Sequence, residues 1–314
     1  MEICGFHARV VAVDQQGDEK VRMAYLDNES RTEAPCLLLL HGLFDSKATW
    51  SRLCPLLGSH YRVIAPDLVG FGHSSKPLFE RHPGRYRYSI DMQLDLLERF
   101  VERLEPGPLV VGGSSWGGGM ALRLYLCRPA LARRVRGLVL IGAAAYRQHL
   151  PGRVQELGGW LGELMCSAPV RRLLRLGVDR QLVRRTFRRA FHDRSRIPPD
   201  LVEEAVSVLR LSNTLHAYRL SARTLIPDDL DELIGRFRSV ECPTLVLWGE
   251  KDRIVPALFA LRLKADIPHA RLHLFPECGH APHLERPERT AALIGAWMQE
   301  QVVAATTPAR MTAR

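Results

Sequence analysis

Apolar residues gather into short runs at eight places along the 314-residue chain. Residues 9–13 (RVVAV) and 21–26 (VRMAYL) flank the turn-rich Asp14-Gln15-Gln16-Gly17-Asp18 and predict an opening hairpin. Cys36 to Leu40 is apolar throughout and ends in His41-Gly42. A strand with no polar face belongs in a sheet covered on both sides. Runs at 62–65, 109–111, 138–141, 244–248 and 271–275 predict further strands. Between them the apolar positions recur three and four apart. Ile90, Leu94, Leu97, Val101 and Leu104 predict a helix over 89–104. Met120, Ala121, Leu124 and Tyr125 predict another, closed by Arg128-Pro129, and residues 287–303 a final amphipathic helix. Strands alternating with helices predict an α/β fold built on a largely parallel sheet.

Residues 146–240 break the alternation. No strand pattern occurs there, and helices are predicted around 154–166, 169–176, 179–191, 199–210 and 229–237. The expected organisation is a core of residues 1–145 and 241–303, a helical cap of 146–240 over the C-terminal edge of the sheet, and a frayed tail of 304–314.

Composition adds little to this picture, but charge adds something. Hydrophobic residues make up 46% and charged residues 25%, as in ordinary globular proteins. The net charge of +10 is concentrated, because residues 146–196 hold 12 arginines against 4 acids. No recognition motif accompanies the charge, so nucleic acid is not the expected partner. Residues 170–191 interleave arginines with leucine, valine and phenylalanine. That pattern fits a cap helix with a solvated basic face, or peripheral contact with an anionic membrane. No apolar run is long enough to span a bilayer, and the first residues lack the features of a signal peptide. Seven scattered cysteines without a C-x-x-C pair predict reduced thiols and a cytoplasmic protein.

The candidate chemistry centres on Val110 to Gly119, which reads strand, sharp turn, helix. Gly113-x-Ser115-x-Gly117 fits G-x-S-x-G in the context that motif needs. A nucleophilic serine must stand clear of the sheet on a residue forced toward positive φ. Its neighbours two positions away must then be nearly free of side chain. Ser114 is excluded as the centre, since Trp116 would then occupy a glycine position. A serine nucleophile needs a base and the base an orienting acid. Asp252 and His280 each follow a late strand, and parallel strands bring such loops to one edge. Glu250 is the rival acid. His283, His41, His73 and Asp67 are read as structural, and Cys278 as an inert small hydrophobe.

The chain resembles the serine-triad α/β-hydrolases over roughly residues 9–303. The likeness rests on Leu40-His41-Gly42-Leu43, Asp67 to Ser74, Gly113 to Gly118, Gly249 to Asp252 and Gly279 to Glu285, in that family's order. The resemblance implies Ser115 as nucleophile, His280 as general base and Asp252 as its orienting acid. It also implies an oxyanion site on the backbone N–H groups of Leu43 and Trp116, with no metal and no cofactor. Phe44, Trp160, Leu164 and Ile254 are the expected substrate-pocket residues.

A serine at the elbow argues against epoxide opening and halide displacement, which use aspartate in this family. Hydrolases of aromatic ring-cleavage products usually carry Asn before the serine and Trp after the histidine. Here those positions are Ser114 and Ala281. Hydrolysis of hydrophobic or lipid-like carboxylic esters is therefore the main expectation, with a small-molecule ester as partner. The alternatives on the same triad are C–C bond hydrolysis of ring-cleavage products, thioester or lactone hydrolysis and cofactor-free haloperoxidation. A slow-turnover ligand receptor is the alternative outside enzymes.

Overall fold

The computed structural model describes residues 5–16, 19–78, 87–148, 156–173 and 177–303. Eight strands form one sheet: β1 (His7–Gln16), β2 (Glu19–Asp27), β3 (Cys36–Leu40), β4 (Val63–Pro66), β5 (Leu109–Ser114), β6 (Val135–Ile141), β7 (Thr244–Gly249) and β8 (Arg271–Phe275). Their order is β1-β2-β4-β3-β5-β6-β7-β8. β1 pairs antiparallel with β2, and β2 antiparallel with β4. Every later neighbour is parallel. The sequence pattern explains this division. β3, β4 and β5 are buried at every position, as strands covered on both faces must be. β1 is mostly exposed along its first half, which suits an edge hairpin.

Two apolar clusters cover the two faces. One joins Leu38, Val111 and Leu140 to the Ile90–Leu104 and Trp116–Cys127 helices. The other joins Leu39, Val110 and Leu247 to Trp50, Tyr61 and the closing Pro287–Trp297 helix. That helix is shorter than expected, because residues 298–303 continue as a wider π-type turn. Residues 304–314, expected to fray, lie outside the described residues.

Among the described residues between β6 and β7 there is no strand. The segment forms helices at Trp160–Cys166, Ala168–Leu173, Asp179–Ala190, Pro199–Leu209, Thr214–Arg223 and Leu230–Gly235. Thr214–Arg223 was not expected from the pattern, although Leu215, Tyr218 and Ala222 recur at helical spacing and are buried. Arg123 of the Trp116–Cys127 helix ties this segment to the core. Its guanidinium donates to Asp91 at 2.9 and 3.0 Å and to both oxygens of Asp229 at 2.9 Å.

Candidate active site

β5 ends in a sharp turn at Ser115. Ser115 adopts φ 54° and ψ −118°, a strained conformation for a residue with a side chain. The Trp116–Cys127 helix starts at the next residue. The flanking glycines are required by space. A Cβ at Gly113 would lie 2.2 Å from the Gly117 carbonyl carbon, and one at Gly117 would lie 2.2 Å from the Leu40 carbonyl oxygen. The turn is locked by the Ser115 amide, which donates to Ile141 O at 2.8 Å, and by the Ser115 carbonyl, which accepts from Ala144 N at 2.9 Å.

Asp252 and His280, read as acid and base from the sequence, lie in contact. His280 Nδ1 lies 2.7 Å from Asp252 Oδ2. The other carboxylate oxygen accepts from Ile254 N at 2.7 Å and Val255 N at 2.9 Å. Both carboxylate oxygens are thereby oriented, and the Asp252 side chain is sealed from solvent. A carboxylate facing Nδ1 fixes the proton there and leaves the Nε2 lone pair for a second partner. The His280 ring and Ser115 share a neighbourhood. A Cβ at Gly142 would lie 3.2 Å from His280 Cε1 and Nδ1, and Ser115 bonds the residue just before Gly142. Among the described residues Glu250 makes no hydrogen bond or ion pair with His280, whereas Asp252 does.

The loop after β3 approaches Ser115 from the other side, where a Cβ at Gly42 would lie 3.4 Å from Ser115 Cβ. Among the described residues neither the Leu43 nor the Trp116 backbone N–H has a hydrogen-bond partner. A helix N-terminus leaves such donors free. The loop is held by Asp67, read as structural from the sequence, and by Lys47, which the sequence reading missed. Asp67, fully buried, accepts from Lys47 N at 2.6 Å, Lys47 Nζ at 2.6 Å and His73 N at 2.8 Å. Lys47 is a surface residue type, and only its packing shows it to be buried.

Two histidines read as structural, His41 and His283, have partners within the fold. His41 Nε2 accepts from Leu68 N at 3.0 Å while Nδ1 donates to Gly42 O at 2.8 Å, and burial lowers its pKa. His283 stacks on Trp50 and bonds Thr49 Oγ1 at 3.0 Å. Burial pushes its pKa down to about 3, so the ring is neutral.

The expected pocket residues fare unevenly. Phe44 packs on Tyr218 at 4.8 Å between ring centroids, and Tyr218 OH donates to Phe44 O at 3.3 Å. Trp116 stacks toward Phe71 at 5.7 Å and lines a small cavity of about 60 Å³ with Ala144, Ala145, Leu225, Leu230 and Leu233. Ile254 is partly buried against the main cluster, and its amide serves Asp252. Leu164 is a correction: it is 49% exposed, because the Trp160–Cys166 helix turns that residue to solvent. The Trp160 side chain lies outside the described residues. Asp45 is a site residue that the pattern did not reveal. It follows Phe44, its Oδ1 accepts from Ser46 N at 2.8 Å, and burial raises its pKa to about 6 despite the nearby His280.

Residues 35–287 match the family described as alpha/beta hydrolase fold. The chain belongs to the α/β-hydrolase-fold family. Its sheet order and elbow are therefore those of a hydrolase. It is 30% identical over 273 residues to a 2-hydroxymuconate semialdehyde hydrolase of Pseudomonas sp. (strain CF600), covering 86% of this chain and 88% of that protein. It is 31% identical over 249 residues to a protein of the same name from Pseudomonas putida, covering 76% and 77%. A meta-cleavage product hydrolase from Pseudomonas fluorescens IP01 superposes with a TM-score of 0.72 at 24% identity, covering 94% of this chain and 98% of that one. That last likeness concerns the fold. No helix among the described residues is long and apolar enough to cross a membrane.

Proposed function

We propose that this chain is a serine hydrolase that cleaves a C–C bond next to the 6-oxo carbonyl of a 2-hydroxy-6-oxo-dienoate, the product class of aromatic ring cleavage. The observation that carries this reading is the 30% identity to a 2-hydroxymuconate semialdehyde hydrolase across most of both chains. It displaces ester hydrolysis, the main expectation from sequence. Ser115 Oγ attacks the 6-oxo carbonyl, and His280 Nε2 takes its proton. Asp252 keeps the imidazole in the required tautomer and stabilises its cation. The Leu43 and Trp116 amides receive the oxyanion, each such donor contributing about 3 kcal/mol at the transition state. In the 2-oxo-3-ene tautomer of the substrate, where the carbon beside the attacked carbonyl is a saturated CH2, collapse of the tetrahedral intermediate breaks that C–C bond and expels a dienolate, which the His280 cation protonates. Water, activated by the same imidazole, then hydrolyses the acyl-Ser115 intermediate. The inserted helices act as a cap over Ser115.

Ester hydrolysis stands as the second reading, and Asp45 favours it. An ionised carboxylate beside the oxyanion loop repels a dienoate carboxylate and tolerates a neutral ester. Ser114 and Ala281, where ring-cleavage hydrolases usually carry Asn and Trp, point the same way. The test is to follow loss of the conjugated absorbance of 2-hydroxymuconate semialdehyde, and release of p-nitrophenol from an acetyl-to-palmitoyl ester series, in wild type and Ser115→Ala. Turnover of the dienoate at a kcat/KM well above that of every ester supports C–C cleavage. The reverse order replaces it with ester hydrolysis.

A further inference from the structure

The Asp179–Ala190 helix has two faces of different character. Val183 and Phe187 turn inward, and Phe187 and Ala190 pack against Ala48, Phe191, Leu201 and Leu284. The opposite face is open. At 100° per residue, Arg184, Arg185, Arg188 and Arg189 fall within about 140° of one another on that face. All four are exposed, and none has an ion-pair partner among the described residues. The acids around them are engaged elsewhere. Asp179 is bound by Arg210, Glu203 by Arg180, and Asp193 by Arg196. The open face is also not purely polar. Val178, 48% exposed, and Leu182, 36% exposed, lie on the stripe that continues into Arg185 and Arg189.

We propose that this face is a docking surface for the anionic headgroups of a lipid bilayer. Uncompensated cations grouped on one face lower their free energy most beside a dense layer of negative charge. Two exposed aliphatic side chains in the same stripe gain by entering the boundary between headgroups and acyl chains. A nucleic acid offers phosphates to the arginines but no apolar layer to Val178 and Leu182, which is why the bilayer is the occupant. The helix ends against the candidate active site, since Ala190 O accepts from His280 N at 2.6 Å. Docking thus places the membrane one helix away from His280. This inference does not depend on which bond the site cleaves.

The test is co-sedimentation of the full chain with vesicles of phosphatidylcholine alone and of equal parts phosphatidylcholine and phosphatidylserine. Each arginine near an anionic surface raises partitioning about fivefold. Replacing Arg184, Arg185, Arg188 and Arg189 by Gln is therefore expected to reduce binding to the mixed vesicles by at least about 100-fold. Far-UV circular dichroism is expected to be unchanged, because none of these side chains has a structural partner. Val178→Ser with Leu182→Ser should weaken binding while leaving its dependence on salt unaltered. Any of the following results overturns the proposal: no binding to the mixed vesicles, equal binding to the neutral ones, full binding by the four-glutamine variant, or duplex DNA that binds as tightly as the vesicles and is indifferent to the two serine substitutions.

Discussion

Replacing Glu285 by Gln should cost about 3–5 kcal/mol of stability, although the two side chains have nearly the same shape. Glu285 is fully buried, with no ion-pair partner among the described residues. Its charge is stabilised by backbone donors from two segments. Gly279 N donates to Oε1 at 2.6 Å, while His192 N at 3.1 Å and Asp193 N at 3.0 Å donate to Oε2. One donor belongs to the His280 loop and two follow the Asp179–Ala190 helix, so a single carboxylate holds the inserted segment to that loop. Glutamine has only one acceptor oxygen. Whichever way the amide is turned, its NH2 faces at least one N–H. If the oxygen replaces Oε1, the bond to Gly279 survives as a neutral one, weaker by about 1 kcal/mol, and His192 N can share it at 3.2 Å. The part-buried Asp193 N–H then loses its acceptor, which costs about 1–3 kcal/mol, and the opposed donors add repulsion. The assay is urea unfolding of wild type and Glu285→Gln by circular dichroism, compared at the midpoint with the slope checked for constancy. Limited proteolysis between residues 190 and 196 should quicken in the variant. A stability within about 1 kcal/mol of wild type would refute the latch, since it would mean that water or relaxation satisfies all three donors.

Ser115→Ala should lower kcat by at least about 10⁴-fold on whichever substrate the wild type turns over, with an unchanged circular dichroism spectrum. Gly113→Ala should give insoluble or unfolded protein, because its methyl would meet the Gly117 backbone at 2.2 Å and neither strand nor helix can retreat; soluble, active protein contradicts that reading. The raised pKa of Asp45, about 6 against 3.8, means that its ionisation opposes folding. Its cost is absent below about pH 4 and complete above about pH 6, so Asp45→Asn should be more stable than wild type by about 3 kcal/mol at pH 8, with no advantage at pH 4. A pH-independent difference would show that the carboxylate is better solvated than its burial suggests. His283 has the opposite sign. Its folded pKa of about 3 lies below the ordinary 6.5, so the stability tied to its neutral form is present above about pH 6.5 and lost as pH falls toward 3. His283→Gln should flatten that acid limb in stability measured from pH 7 to pH 4.

The identification of the fold from pattern succeeded where the causes are local. Cys36–Leu40 and the Ser115 turn declare themselves because a strand buried on both faces must be apolar throughout, and a serine at φ 54° requires glycines two residues away. Asp252 and His280 were legible for a related reason, since each follows directly on a parallel strand whose end lies at the same edge. The Thr214–Arg223 helix was missed although its apolar spacing was present, because ten residues give a weak periodic signal beside longer helices. Leu164 was misplaced because an apolar residue on a short helix carries no mark of which side faces inward.

Strand positions and the glycine-flanked elbow follow from neighbouring residues alone, because sterics and hydrophobic period act between neighbours in the chain. Their surroundings come from contacts distant in the chain. The Lys47–Asp67 pair under the loop after β3 joins residues 20 apart, the Tyr218 hydroxyl reaches Phe44 across 174, and Glu285 binds His192 across 93. Charge and hydrogen-bonding energies depend on separation in space and on exclusion of water. Neither is fixed until the inserted helices close on the sheet.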